Sequence, residues 1–408
     1  MSRPAVAPRL SIVVLPFTNL SGDPAQQYFA DGITEDLTID LSRIENMFVI
    51  SRYTAFTYRN KPLDTKQIAR ELGVRYVLEG SVRRSGNQVR VSAQLIDAAT
   101  DAHLWTERFD RDAADLFALQ DEITSRIANA LGIELVAAEA AGASQHPDAL
   151  DYILRGRAEW NKGPTRDNYA QAISLFERAL ALDPRSVDAH SWLASALATR
   201  VTGQMTDSAA ADIARAEGLI GQVLAASPRS PLAHYTKGQV LRARRRYKEA
   251  ISEYEAALSL NRNLAVALSG LAWCRLYIGS IEEVIPLEEQ AIRLSPRDPR
   301  IGWWYFLIGT VHLLQSRADD AIFWLEKARY HIPAHLTISR HLASAYALNG
   351  EIERAAAELT EARGLSSDDR YSSLARLRAR RVHLVPKIRA LFEATHDVGL
   401  RKAGMLEE

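Results

Sequence analysis

The chain has 408 residues, 47% of them apolar and 25% charged, which is enough ordinary soluble sequence for two or three domains. Fifty Lys and Arg balance fifty Asp and Glu, so no whole-molecule field draws it to nucleic acid or an acidic membrane. Its single cysteine, Cys274, excludes an internal disulfide and a cysteine-based metal cluster, and beside Trp273 it reads as a small buried apolar residue.

Residues 1–10 read as a linker of Pro, Ala and Arg with no apolar core of a signal peptide. No later stretch approaches the ~20 apolar residues of a membrane helix, so no membrane segment is expected and the expected location is cytoplasmic. Residues 11–135 have the grammar of a small α/β domain. Ser11–Phe17 is an apolar strand, followed by the turn residues Asn19–Pro24. Tyr28, Ile33, Leu37, Leu41 and Ile44 recur at helical spacing. Phe48–Ser51 is a second strand, and a short helix over Ile68 and Leu72 ends at Gly73. Tyr76–Arg84 and Gln88–Asp97 are strands joined through Ser85-Gly86-Asn87, a hairpin signal. In the second, Val89, Val91, Ala93 and Leu95 alternate with polar residues, so one face packs and the other is wet. His103–Asp110 is a further strand, and Leu116 to Leu131 make a closing helix. The solution expected for this order is a mixed sheet covered by helices.

The strings VLPFTNLSGDPAQQYFADGITEDL (Val14–Leu37) and ARELGVRYVLEGSVRRSGNQVRVSAQLIDAATDAHLW (Ala69–Trp105) resemble the TolB-like amino-domain family. The resemblance implies a bacterial protein whose relatives follow this domain with tetratricopeptide (TPR) repeats. They often precede it with a class III adenylate/guanylate cyclase domain, or with a winged-helix domain and a membrane helix. The tail GLRKAGMLEE (Gly399–Glu408) also resembles the cyclase-linked members, more briefly. Nothing in this chain resembles the cyclase domain itself, and the expectation is a stand-alone, split or truncated relative.

Residues 150–367 repeat with a period of 34. Gly238, Ala250, Tyr254 and Ala257 recur as Ala272, Val284, Glu288 and Ala291. After three extra loop residues they recur as Gly309, Ala321, Leu325 and Ala328, then as Ala343, Ala355, Leu359 and Ala362, with Ser367 closing the last unit. Two irregular units come first, around Gly156, Ala172 and Phe176 and around Ala194, Ala216 and Ile220, with an insertion near Thr202–Ser208. The period means stacked antiparallel helix pairs, about six units, that bury a core only by stacking. The fold class is therefore two-part α+β: a small mixed-sheet TolB-like domain followed by an all-α TPR solenoid. Residues 368–408 read as a helical, Arg-rich cap and tail that Pro386 kinks or splits.

Candidate chemistry is thin. Thr18–Asp23 follows a strand and leads into a helix, yet it has one glycine and no Lys-Ser/Thr pair, so it reads as a turn and cap rather than a phosphate loop. Asp31, Glu35 and Asp36 near the helix start suit either a hard cation or the helix dipole, and the dipole is the favoured reading. Glu79-Gly80-Ser81-Val82 lacks the second glycine of a nucleophile elbow. His103 reads as a satisfied structural histidine, and Arg83 and Arg84 as a solvated sheet edge. No catalytic set, cofactor site or metal site is expected, and no enzyme activity.

In TPR arrays the first helix of each unit lines a concave groove. By register the candidates here are Tyr235, Gln239, Arg242, Ser269, Trp273, Leu276, Phe306, Thr310, Arg340 and Ser344, with Trp273 and Phe306 equally readable as core. Gly302-Trp303-Trp304-Tyr305-Phe306 is either an exposed anchor or a packing site. Arg244, Arg245 and Arg246, with Arg242 and Lys248 nearby, form a basic turn that suits an acidic partner or reads as a solvated turn neutralised by Glu249, Glu253 and Glu255. The function expected is a non-catalytic adaptor or sensory module of a bacterial signalling system that holds a protein or peptide in the groove. The alternative is an accessory or split subunit of a class III cyclase, with a separately encoded cyclase or regulator as partner. Weaker still is a transcription-regulator fragment. No nucleic-acid partner is expected.

Overall fold

The computed structural model of the chain describes residues 10–44, 47–59, 61, 64–131, 147–162, 165–203, 205–333, 335–365 and 372–408. The linker at 1–9, Ser367 and Tyr371 lie outside these. Two compact units form: one from the chain up to Arg244 together with Glu253–Leu264, the other from Arg245–Ser252 together with Ala265–Glu408.

The first unit opens with an α/β domain. Its strands are β1 (Ser11–Val14), β2 (Thr18–Asn19), β3 (Phe48–Val49), β4 (Tyr76–Ser85), β5 (Gln88–Asp97) and β6 (Ala102–Asp112). Its helices are α1 (Gln27–Ser42), α2 (Arg52–Phe56), α3 (Thr65–Leu72) and α4 (Leu116–Ala130). The sheet runs β3-β1-β4-β5-β6, with β2 also pairing with β4. Around β1 the pairing is parallel, and β4-β5-β6 is an antiparallel meander, so the sheet is mixed as its sequence grammar requires. Gly86, at φ +59°, turns the β4–β5 hairpin, and Gly73, at φ +64°, ends α3.

Successive β1 residues face opposite layers. Ile12 and Val14 join Leu78, Val91 and Leu95 beneath Ile33, Leu37, Leu41, Leu119 and Ile123 of α1 and α4. Val13 and Val77 lie on the other face with Ile50, Ala55, Ile68 and Leu72, in the layer of α2 and α3. Two expectations change. The strand expected over Phe48–Ser51 is only two residues long, because Arg52 starts α2. Arg83 and Arg84 lie on β4, a central strand, not a sheet edge.

The helix pairs follow as α5 (Pro147–Asn161) and α6 (Arg166–Leu182), α7 (Val187–Thr202) and α8 (Ala209–Ala226), and α9 (Pro231–Ala243) and α10 (Tyr247–Leu260). Next come α11 (Ala265–Ile278) and α12 (Val284–Leu294), α13 (Ile301–Leu314) and α14 (Ala318–His331), and α15 (Leu336–Leu348) and α16 (Ile352–Gly364). The small repeat positions are places of close approach. A Cβ on Gly156 would lie 2.5 Å from the Phe176 ring, one on Gly238 2.8 Å from Tyr254, and one on Gly309 2.8 Å from Leu325. Side-chain caps start the helices: Thr165, Ser186 and Ser230 accept from the backbone N–H of Asn168, Ala189 and Ala233. Cys274 is fully buried in α11. The C-terminus forms α17 (Leu374–Arg380), α18 (Pro386–Ala394) and α19 (His396–Lys402), and Pro386 does separate two helices.

Candidate functional site

The acidic cluster of α1 is neither a cation site nor a helix-dipole feature. The helix begins at Gln27, and its first turn holds no acid. Glu35 instead accepts from Arg52 Nη1 at 2.7 Å and from Arg157 Nε at 3.1 Å. Asp36 accepts from Arg157 Nη2 at 2.6 Å and from Gln120 at 3.0 Å. Asp31 pairs with Arg59 at 2.5 Å. Burial alone would raise the Glu35 carboxyl, but Arg157 and Arg52 outweigh it and hold the group below the ordinary range. Burial does raise Asp36, against the pull of Arg157. Asp188 of α7 is pushed up to about 6, first by burial and then by the Asp36 charge.

This network joins the α/β domain to the first repeat helix. Leu150 and Leu154 of α5 enter the domain core, and Gly32 of α1 gives Leu154 room. Tyr28 donates to Asp151, which also meets Arg84 at 3.2 Å and Arg155 at 2.9 Å. Arg84 lies over the Phe29 ring. A second tie is Asn263, after α10: its Nδ2 donates to the carbonyls of Met47 (3.0 Å) and Ser42 (3.3 Å), and its Oδ1 accepts from Val49 N–H. Sequence reading missed Arg52, Arg157 and Asn263. The available signal was a lone arginine on an otherwise apolar face of α5.

The loop over Thr18–Asp23 behaves as a turn. Asn19 accepts from Ser21 N–H and donates to the Asp23 carbonyl, and Asp23 caps the short 3-10 turn Pro24–Gln26. His103 stands exposed on β6, so it is not the satisfied structural histidine expected. Among the described residues no group of three or more His, Cys, Asp or Glu is arranged to hold a metal ion. No described helix is long and apolar enough to cross a membrane.

The ten groove candidates divide. Tyr235 and Gln239 of α9 are buried and bonded together: Gln239 Nε2 donates to Tyr235 Oη at 2.8 Å and reaches Thr199 of α7 at 3.2 Å. Arg242 is half-buried on the same helix. Ser269 turns into its own repeat, donating to Glu288 at 2.8 Å, and Thr310 donates back to the Phe306 carbonyl. These two do not present their hydroxyls to a groove. The remaining five meet the chain's own C-terminus or lie beside what does. Leu276 packs with Leu384, Ile388 and Phe392. Trp273 is half-buried between that cluster and Phe306, with ring centres 6.2 Å apart. Phe306 meets the His341 ring at 4.8 Å, and His341 meets His396 at 4.4 Å. Arg340 is buried beside the same histidines. Ser344 donates to the His396 carbonyl at 2.9 Å, and Gly399 lies against it where no Cβ would fit.

The tail is therefore more than a cap on the last unit. Lys387 donates to the Gly279 carbonyl of the α11–α12 turn at 2.9 Å, and α19 packs along α15. Asp397, fully buried, accepts from Arg381 at 2.7 Å and from Arg378 at 3.2 Å; burial would raise it, but its hydrogen bond with His396 and the Arg381 charge hold it down at about 2. Burial pushes His396 down to about 4 and His341 well below the ordinary imidazole value. Trp304 is buried, and Trp303 and Tyr305 are partly so. The aromatic run is thus a packing site, with Trp303 against His335 and Tyr305 against Trp324. At the basic turn, Arg244 pairs with Glu217 at 2.6 Å and Arg246 with Glu249 at 2.5 Å, while Arg245 takes a positive φ.

Different parts of the chain match different family models. Residues 165–212 and 231–264 match tetratricopeptide-repeat family models, and the chain carries TPR repeats. Residues 8–126 match the family model described as the second domain of HilA/YgeH-like transcriptional regulators, not a TolB-like model. A protein of Rhizobium meliloti (strain 1021) named "Putative adenylate cyclase 3" is 41% identical over 251 residues, 60% of this chain and 43% of the relative. The chain thus spans less than half the length of that curated relative. Among solved structures, the Cut9–Hcn1 hetero-tetramer of the APC/C aligns with TM-score 0.48 and 13% identity over 59% of this chain and 44% of that one. A thermophilic TPR protein of Thermus thermophilus aligns with TM-score 0.38 and 20% identity over 48% and 98%. PilF of Pseudomonas aeruginosa aligns with TM-score 0.42 and 18% identity over 57% and 97%.

Proposed function

We propose that this chain is a non-catalytic protein-interaction module of a bacterial signalling system, and that its partner offers a helical segment to the surface of α11, α13 and α15. The observation that carries the reading is that this surface already receives helices. Ile388 and Phe392, one turn apart on α18, and Leu384 just before that helix cluster with Leu276, Leu307 and Val311. An amphipathic helix presenting apolar residues at that spacing is the partner chemistry that fits. Such a partner has to replace α18 and α19, so it competes with the chain's own tail.

The test is affinity capture with the full chain, followed by titration of the purified partner. Ile388→Ala with Phe392→Ala weakens the tail and should tighten partner binding about tenfold or more. Trp273→Ala should loosen it. Affinity unchanged by either variant would sink the groove assignment.

A second reading is that the chain is an accessory or split subunit of a nucleotide cyclase. It is favoured by the 41% identity to a relative named as one. The TolB-like reading of the first domain belongs with it, resting on the two strings Val14–Leu37 and Ala69–Trp105. The match to a regulator's second domain favours a transcription-regulator fragment instead. Purified chain with ATP or GTP and Mg²⁺ or Mn²⁺ should form no cyclic nucleotide, while co-purification with a separate cyclase would select the subunit reading. Turnover by the chain alone would overturn the non-catalytic assignment.

A further inference from the structure

On the α2–α3 side of the sheet, apolar cover stops part-way along the strands. Val13 and Val77 are buried there, but two residues further along β4 the same face turns polar. Glu79, Gln94 and Thr106 form one cross-strand row, and Ser81 and Ser92 begin the next. A cleft of about 660 Å³ opens over them, walled by Leu15–Asn19 after β1, by Gln27 of α1, and by Tyr58, Arg59 and Lys61 after α2. Gly80 belongs to its floor: a Cβ there would collide with the Phe17 ring.

The position has topological meaning. From β1 the chain crosses through α1 to β3 on one side, and returns through α2 and α3 to β4 on the other. The cleft thus lies at the carboxyl end of β1 where the strand order reverses, the place at which open α/β sheets receive ligands. A wet antiparallel face needs no such walls.

The lining also has a defined chemistry. Lys61 is exposed, with its ammonium 5.4 Å from the Tyr58 ring, and among the described residues no carboxylate pairs with it. Arg59 pairs with Asp31 through Nη2, while its Nε has no hydrogen-bond partner. Across the floor, Glu79 Oε2 accepts from Gln94 Nε2 at 2.9 Å, which orients the carboxylate and leaves Oε1 for another donor. Ser81, Ser92 and Thr106 add hydroxyls. Cations on one wall favour an anion, and a carboxylate among hydroxyls and an amide favours hydroxyl donors.

We infer that this cleft binds a small phosphorylated polyol, a sugar phosphate or a nucleotide. Its phosphate lies toward Lys61 and Arg59, and its hydroxyls reach Glu79, Ser81 and Ser92. The inference is independent of the groove reading, since it uses neither the repeats nor the tail.

The test is calorimetric titration of the full chain with ribose 5-phosphate, AMP, ribose, inorganic phosphate and glutamate, with amide hydrogen exchange to locate binding. Saturable binding of ribose 5-phosphate or AMP is expected, at least tenfold tighter than ribose or phosphate, with protection at residues 58–61, 79–81 and 92–94. Equal affinity for both assigns a sugar phosphate, and AMP alone assigns a nucleotide. Exposed Lys61→Glu should weaken binding about tenfold or more while leaving the melting curve unchanged, and Glu79→Gln should narrow the gap to inorganic phosphate. No saturable binding of either phosphate ester, phosphate as tight as the esters, glutamate tighter than both, or protection confined elsewhere would each overturn the assignment.

Discussion

Two surfaces of the chain differ in what fills them. The cleft over β4, β5 and β6 is lined by hydroxyls, a carboxylate and an ammonium without a counter-ion among the described residues. The surface of α11, α13 and α15 is filled by the chain's own helices, and its buried charges, Asp397 above all, are already paired. The contrast teaches that a repeat register locates a surface without saying whether it is free. An open polar cleft invites a ligand directly, while a filled apolar groove admits a partner only by exchange.

The largest effect expected concerns what holds the cleft's domain in place. Arg157→Ala leaves Glu35 and Asp36 buried with one cation fewer and should cost about 3–5 kcal/mol in urea unfolding. Retention of wild-type stability would show that the network does not hold α5 to the domain. Next comes the groove filler. Phe392→Ala should cost about 3 kcal/mol and raise hydrogen exchange in α18 and α19. Exchange unchanged there would mean that the tail is anchored elsewhere.

Two pH effects of opposite sign sharpen the comparison. Asp188, raised from 3.8 to about 6, binds a proton more tightly folded than unfolded. Its contribution is full below about pH 4 and lost as pH rises through 6. Asp188→Asn should therefore stabilise the chain by about 1–3 kcal/mol at pH 7.5, with the gain shrinking toward pH 4. His396, lowered from 6.5 to about 4, does the reverse: its contribution is present above pH 6.5 and fades as pH falls toward 4. The groups facing it are His341, Arg340, Arg381 and Asp397. Acidification from pH 7 to 5 should loosen α18 and α19 before the rest of the second unit, as read by hydrogen exchange. The smallest effect is at the basic turn, where Arg246→Ala should change stability by no more than about 0.5 kcal/mol, because its pair with Glu249 is exposed.

Much of the fold was legible because it is local. Alternation in Val89–Leu95, the turn at Gly86 and the spacing of Gly238, Ala250 and Tyr254 each determine structure within a few turns of chain. The charged network was not legible, since Glu35 meets partners 17 and 122 residues away. The groove was legible as a set of helix faces but not side chain by side chain. Ser269 was misplaced because Glu288 replaces the large apolar residue of the other units and draws the hydroxyl inward. The tail read as a helical, Arg-rich cap, and a helical reading does not name the surface that receives the helix. The cleft left even less trace, because Glu79, Gln94 and Lys61 meet only once the sheet has formed.

The most direct measurement is amide hydrogen exchange of the full chain at pH 7 over residues 384–403, compared with α13 and α15. The account predicts protection in this segment of the same order as in those helices, showing that the groove is filled in solution. Exchange there as fast as in an unfolded peptide would contradict it and leave the groove open.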